Sequence, residues 1–582
     1  MKIYFANFKS RPMDINTNFE KAMECLDRCI AEKCDVIVYP AGCLLGAELG
    51  ILKTAGWLGF AYSGCLAKIC DKATANGVTV ITDSLDMNIE EYLPVIKNSQ
   101  KQSFGGMDYK GCKIRIAKSS SHLFSNVREL CDNTDYVFIN WMEKGVAGQK
   151  YLWIKTLKAI SKKFGTTFVL NTAGNGYTTH PDFYMPIIGV VEGGEAKLWH
   201  NFDGIACCPE TMDIPKPQLN YVPEDNIICC GMVNFSCNSQ NADTDLTYRD
   251  MTFFPICYNQ NPLIPANVPE KEYCLDLFDM QCESLANRLR NINCKNVVLN
   301  LSGGLDSTMA LLVCINTFRM LGLDRKGIHI LTQPGFGTSS TTKGLAGELC
   351  ENLGLGMKTV DITDTCRAAL LSIGHDGVTP DVTMENVQAR TRTMNALNMA
   401  NHLGAIMVGT GDLSEVALGF STFGGDQLSS YNVNCCVSKT VMRTMLPYIT
   451  DMEMFASVKE TVDKVLNIPV SPELVPHGGE ILQKTEEILA PYKLIDFFIY
   501  CTVVTKIPPK GIVYWAYDVF DKEFSKEYIQ EKLAMFYRKF AVGQFKRSCS
   551  PECANLTHVS LVGADKSFAS DGSADIFIQG MK

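Results

Sequence analysis

Apolar positions in this chain fall into short β-branched runs separated by longer stretches with helical spacing, an alternation that predicts a layered α/β architecture. In the first 235 residues the strand-like runs cover 2–7, 35–40, 78–82, 113–117, 136–140 and 167–171. Helices are predicted over 18–33 and 57–76, and around 151–155 between the last two strands. Residues 236–275 read as a connection: a polar stretch, an aromatic and apolar stretch at 248–258, then Pro262, Pro265 and Pro269. An amphipathic helix over 274–291 leads into an apolar strand at 297–301 and a buried helix beginning near Met309. Beyond it, strands are expected at 328–332, 359–362 and 405–415, with helices over 338–353 and from 383 onward.

Length turns this alternation into more than one body, because 582 residues exceed what a single hydrophobic core serves. The predicted division is a first domain at 1–235, the connection at 236–275, and a second domain at 276–582. With 46% hydrophobic and 20% charged residues the composition is that of a globular chain, and no apolar segment is long enough to span a bilayer. The formal charge of −9 gives no basic surface overall, so nucleic acid is not expected as a partner. The N-terminal residues lack the apolar core of a signal peptide. The 25 cysteines sit largely in apolar segments, among them the vicinal pairs Cys229–Cys230 and Cys435–Cys436, and no pair of Cys/His doublets has zinc spacing. A reducing, cytoplasmic setting is expected.

Candidate chemistry concentrates after the 297–301 run, in Ser302-Gly303-Gly304-Leu305-Asp306-Ser307. A strand, a small-residue loop and a helix start aim backbone N–H groups and a positive helix end at one point, which suits a phosphate. No Gly-Lys-Ser/Thr follows, so this is not a Walker A loop. The order of residues resembles the pyrophosphate loop of ATP pyrophosphatases, which split ATP between its α and β phosphates to activate a substrate as an adenylate.

The first 235 residues resemble the nitrilase, or carbon–nitrogen hydrolase, family in the strand ending Val38-Tyr39-Pro40, the 135–140 strand, and Asn171-Thr172-Ala173-Gly174. The resemblance implies an α-β-β-α sandwich and amide hydrolysis by a Glu-Lys-Cys triad. Here Ala41 follows Tyr39-Pro40 where the family has its general-base Glu, and Ala117 or Lys118 stands where the nucleophilic Cys is expected. The segment between Val95 and Gly111 that would carry the Lys is short. The expectation is a domain that keeps the fold and has lost the hydrolysis, with Cys43 a buried structural thiol rather than a displaced nucleophile.

From 275 to about 550 the chain resembles the NAD synthetase family, in its long glutamine-dependent form. The motifs are Glu385-Asn386-Val387-Gln388-Ala389-Arg390, Gly409-Thr410-Gly411-Asp412-Leu413-Ser414-Glu415, Gly424-Gly425-Asp426-Gln427-Leu428-Ser429, Lys439-Thr440, Ser471-Pro472-Glu473 and Gln544-Phe545-Lys546-Arg547. The resemblance implies a Rossmann-like, pyrophosphate-loop domain with a parallel sheet. It implies that nicotinic acid adenine dinucleotide is adenylated by ATP and then amidated by ammonia, or by ammonia drawn from glutamine. Asp306 and Glu415 would hold Mg²⁺, and Asp306 and Lys439 would be catalytic. Ser302, Gly303, Gly304, Asp306, Ser307, Thr410, Lys439 and Ser471 would bind ATP, and Arg390, Asp426, Lys546 and Arg547 the dinucleotide. A homo-oligomer is also implied. His402, in a helix end, reads as a cap or packing group, and no catalytic histidine is assigned.

Overall fold

The computed structural model describes residues 1–6, 8, 10–11, 14–45, 56–86, 91–97, 102–103, 106–109, 111–117, 119–140, 145–172, 187–199, 211–213, 259–336, 340–468, 489–561 and 573–581. These form two compact units, Met1–Phe253 and Phe254–Lys582.

Two six-stranded sheets build the first unit. One joins β1 (Lys2–Phe5), β2 (Val36–Val38), β3 (Thr79–Asp86), β4 (Glu91–Lys97) and β5 (Gln102–Ser103), with β12 (Thr211–Asp213) on the far edge of β1. The other runs β11 (Glu195–Trp199), β10 (Ile188–Glu192), β9 (Thr167–Asn171), β8 (Tyr136–Ile139), β7 (Cys112–Ala117), β6 (Gly106–Tyr109). Each sheet has a parallel centre (β1-β2-β3 and β7-β8-β9) and antiparallel edges. Ile3, Phe5, Val36 and Val38 of one sheet meet Ile114, Ile116, Tyr136, Phe138 and Val169 of the other in a dry interior. On the outer face of the first sheet, Tyr4, Ile37 and Val80 pack against Ala22, Leu26 and Cys29 of the Ile15–Ala31 helix and Ile69 and Ala73 of the Gly56–Ala75 helix. The Gln149–Phe164 helix covers the second sheet. This is the α-β-β-α sandwich: alternate residues of each central strand serve two different cores.

The outer strands of these sheets were not singled out as apolar runs; several are only two to four residues long. The β10–β11 hairpin did carry a signal: Gly193 and Gly194 turn it with φ of +59° and +88°, the geometry of a two-residue hairpin loop.

The second unit is built on a five-stranded sheet in the order β15 (Met357–Thr359), β14 (Ile328–Thr332), β13 (Val297–Asn300), β16 (Ile406–Gly409), β17 (Tyr431–Asn432), with every pair parallel. The order reverses between β13 and β16, and open α/β sheets bind ligands at the carboxyl ends of strands at such a switch point. Three expected boundaries shift. The third strand ends at Thr359 instead of running over 359–362, because the Asp361 carboxylate accepts the Thr363 N–H at 2.8 Å and starts the Thr363–Ser372 helix. The expected 405–415 strand stops at Gly409, because Asp412 caps a separate helix, Leu413–Leu418. The helix expected over 274–291 begins earlier, as Glu270–Asn291.

Candidate active site

Gly303 opens the loop after β13 with φ +87°, a conformation that costs an L side chain roughly 1–2 kcal/mol. It turns the chain so that Gly304 becomes the N-cap of the Leu305–Leu321 helix. The hydroxyls of Ser302 and Ser307 lie 3.1 Å apart, the Gly304 N–H donates to Ser302 Oγ at 3.1 Å, and Ser307 Oγ donates to the Gly304 carbonyl at 3.2 Å. Small side chains thus brace the loop internally and leave its concave face to a ligand.

The opposite wall follows β16. Asp412, fully buried, accepts the Glu415 N–H at 2.9 Å, and Glu415 Oε2 accepts the Asp412 N–H at 3.4 Å, a reciprocal capping box. Asn434 fastens this wall to the first: its Nδ2 donates to the carbonyls of Asp306 (2.9 Å) and Thr410 (3.1 Å). Gln281 steadies Asn434, donating to its Oδ1 at 3.1 Å.

Between the walls lies the ammonium of Lys439, the first residue of the Lys439–Thr450 helix. Its Nζ is 2.7 Å from Asp306 Oδ2, 2.6 Å from Asp412 Oδ2 and 3.1 Å from Glu415 Oε1, with 2% of the side chain exposed. Burial alone would lower the lysine's pKa, but the three carboxylates outweigh it and hold the group well above its ordinary value. Burial pushes Asp412 well up in spite of the lysine, and Glu415 up to about 7. The carboxylates present oxygens within 4.8 Å of one another, and Asp306 Oδ1 is buried with no hydrogen-bond partner among the described residues. Three hard oxygen donors, one of them unengaged, fit Mg²⁺ better than a softer ion.

Asp306, Glu415 and Lys439 border an open cleft of ≈ 1720 Å³ that also takes in Ser302, Gly303, Gly304, Ser307, Thr410 and Asp426, whereas Asp412 is fully buried. Asp426 accepts the Thr422 N–H at 2.8 Å, and burial raises its pKa. Arg390, Lys546 and Arg547 are not among the residues lining this cleft. Arg390 is exposed, donates to the Phe423 carbonyl at 3.2 Å and borders a neighbouring groove of ≈ 930 Å³ with Met394 and Leu397. Lys546 Nζ is held by the carbonyls of Gly419 (2.7 Å) and Ser421 (2.6 Å). The Arg547 guanidinium, 6% exposed, is spent on the carbonyls of Ala417 (3.1 Å) and Phe540 (2.5 Å) and on Gln544 Oε1 (2.9 Å). Lys546 and Arg547 therefore tie down the carbonyl end of the helix that carries Glu415. Ser471 lies outside the described residues, as does Lys118 of the first unit.

Asp412, Asn434 and Gln281 were not singled out in the sequence. Asp412 was findable as an N-cap three residues before a Glu; the other two act across distances in sequence that no local pattern reports. In the first unit Ala41, in the turn after β2, and Ala117, the last residue of β7, are both buried. Cys43 is buried too, its thiol pushed far up by burial and by the adjacent Asp83, so it is a poor nucleophile.

The sequence profile of the NAD synthase family matches residues 277–529, a span that holds the phosphate loop, Asp412, Glu415 and Lys439. That span is an NAD synthase domain. Among curated proteins the chain is 36% identical over 345 residues to the glutamine-dependent NAD(+) synthetase of Mycobacterium leprae, covering 54% of this chain and 51% of that protein. It is 35% identical over 344 residues to that of Mycobacterium tuberculosis, covering 54% and 50%. The chain thus spans about half the length of the curated relatives it matches; by name, those relatives are ligases. Two solved structures share the fold around the synthase domain and the sandwich alike. The glutamine-dependent NAD(+) synthetase of Cytophaga hutchinsonii aligns with TM-score 0.69 at 13% identity, and that of Acinetobacter baumannii with 0.59 at 15%, each over 100% of this chain and 99% of the other.

Proposed function

We propose that this chain makes NAD by ATP-dependent amidation of nicotinic acid adenine dinucleotide, with free ammonia as the nitrogen donor. The observation that carries the reading is the meeting of Asp306, Asp412, Glu415 and Lys439 at the mouth of the phosphate loop. The dinucleotide's carboxylate attacks the α-phosphorus of ATP, an acyl–phosphate bond forms, and pyrophosphate leaves. Ammonia then attacks the acyl carbon, the C–O bond to AMP breaks, and a proton is released with the amide. The first step gathers negative charge on the transferring phosphate, so fixed cationic groups lower its barrier.

In this reading Ser302, Gly303, Gly304 and Ser307 cradle the pyrophosphate with backbone N–H groups and hydroxyls, and Thr410 contacts ATP from the other wall. Lys439 supplies a compact positive charge to the phosphates, which its anchoring by three carboxylates aims into the cleft. Asp306, Asp412 and Glu415 would hold Mg²⁺, which when bound offsets phosphate charge. Asp426 and Arg390 border the cleft and the groove beside it, where the dinucleotide would lie. Ser471 is retained as an ATP contact on sequence grounds, whereas the internal bonds of Lys546 and Arg547 favour a supporting role over substrate contact.

Buried alanines at positions 41 and 117, with the unreactive Cys43, support a sandwich unit without glutaminase chemistry. The test is to incubate the full chain with ATP, Mg²⁺ and the deamido dinucleotide, adding ammonium or glutamine. NAD is expected with ammonium only. Efficient formation from glutamine alone refutes the loss of the glutaminase, and no NAD from either donor refutes the synthetase reading. An assembly of several copies is part of the proposal, and the molar mass in solution measured by light scattering checks it.

A further inference from the structure

The Lys439 ammonium is held by Asp306, Asp412 and Glu415 at once, so its place depends on how the helices that carry these groups are joined. The Tyr492–Tyr500 helix bears two residues one turn apart that face it. The Tyr492 ring centroid lies 5.5 Å from Lys439 Nζ, and Asp496 reaches the start of the lysine's own helix. Asp496 is 1% exposed, and its bonds are to uncharged groups: Ser414 Oγ at 2.6 Å, Thr440 Oγ1 at 2.5 Å and the Thr440 N–H at 3.2 Å. Ser414 Oγ in turn accepts the Lys439 N–H at 3.2 Å. Among the described residues no cation pairs with this buried carboxylate, a costly arrangement, and its bonds join two helices. One of these helices carries Glu415 and follows Asp412; the other begins at Lys439.

We propose that Asp496, together with Tyr492, is a positioning element that fixes the Lys439 ammonium relative to Asp412 and Glu415, and so sets the rate of the adenylating step. Asp496 touches neither cleft nor substrate; it acts through Ser414 and Thr440. The link to rate rests on the synthetase reading, while the effect on Lys439 does not.

The experiment therefore has two readouts on the full chain, for the wild type, Asp496→Asn and Thr440→Val, the last removing one bond of the latch with the carboxylate kept. The first readout is acetylation of Lys439 by a water-soluble N-hydroxysuccinimide ester, followed by mass spectrometry, with the exposed Lys459 and Lys464 as internal references. Lys439 should be slow in the wild type and at least about 10-fold faster relative to the references in Asp496→Asn, with a smaller rise in Thr440→Val. The second readout is steady-state NAD formation, in which Asp496→Asn should lower kcat about 100-fold, the scale of a small misplacement of a reacting group, with KM for ATP moving less than about 3-fold. Unchanged labelling of Lys439 in both variants overturns the proposal, and so does faster labelling with unaltered kcat. A wild type that forms no NAD refutes the synthetase reading instead, and the labelling still decides the positioning.

Discussion

Replacing Asp412 by Asn tests whether the carboxylate cluster is held together for function at the expense of stability. The Asp412 carboxylate has no solvent exposure and shares one lysine with Asp306 and Glu415. Its pKa lies well above its ordinary value, from burial first and like charges next, with Lys439 opposing both. An acid whose folded pKa is raised loses stability as pH climbs from the unfolded value toward the folded one, by about 1.4 kcal/mol for each unit of displacement. Asn removes that penalty. It is also as good an N-cap as Asp, so the bond from the Glu415 N–H survives, whereas Ala would forfeit roughly 1 kcal/mol of capping. Against this stands the lost attraction to Lys439, which keeps two carboxylates at 2.7 and 3.1 Å. The terms leave Asp412→Asn within about 1 kcal/mol of the wild type, or more stable, at pH 7.5. NAD formation should fall at least about 100-fold, as expected when one fixed charge is taken from a charge-stabilising site. Urea unfolding of the full chain, followed by fluorescence, gives the first quantity, and NAD formation with ammonium the second. A variant destabilised by more than about 2 kcal/mol would refute the bookkeeping, because Asp412 would then be a net structural ion pair.

Two further outcomes are expected. Arg547→Ala should destabilise the second unit by about 3 kcal/mol or more, because it orphans the carbonyls of Ala417 and Phe540 in the interior; a loss under 1 kcal/mol in urea unfolding would return Arg547 to the pool of substrate contacts. Burial drives His558 down from 6.5 to about 4, so the unfolded chain takes up a proton that the folded chain refuses between those values. This histidine's contribution to stability should then be complete above pH 6.5 and decline by roughly 3 kcal/mol as pH falls toward 4, and the stability of the wild type relative to His558→Phe should fall by that amount across the window in unfolding experiments at stepped pH.

The phosphate loop was readable from the sequence because its chemistry is local: strand, glycine at positive φ, two hydroxyls and a helix start within eleven residues of chain. The central strands were readable for the same reason, since residues buried on both faces leave continuous apolar runs. Asp306, Glu415 and Lys439 were identified individually through family motifs, yet nothing local says that Lys439 lies 2.7 Å from Asp306, 133 residues earlier. That closeness follows from the strand order, which sets β16 beside β13 and β17 beside β16, and so brings the segments that follow all three strands to the same end of the sheet. Tertiary packing also bears on Lys546 and Arg547. As sequence they are a basic pair near a family motif; in the fold their charge is committed to carbonyls that a helix end could not satisfy by itself. Residue types and short spacings thus determined which chemistry was available. Only the fold decided which charges share one dielectric-poor space, because electrostatic coupling depends on distance and burial, and neither is a property of sequence separation.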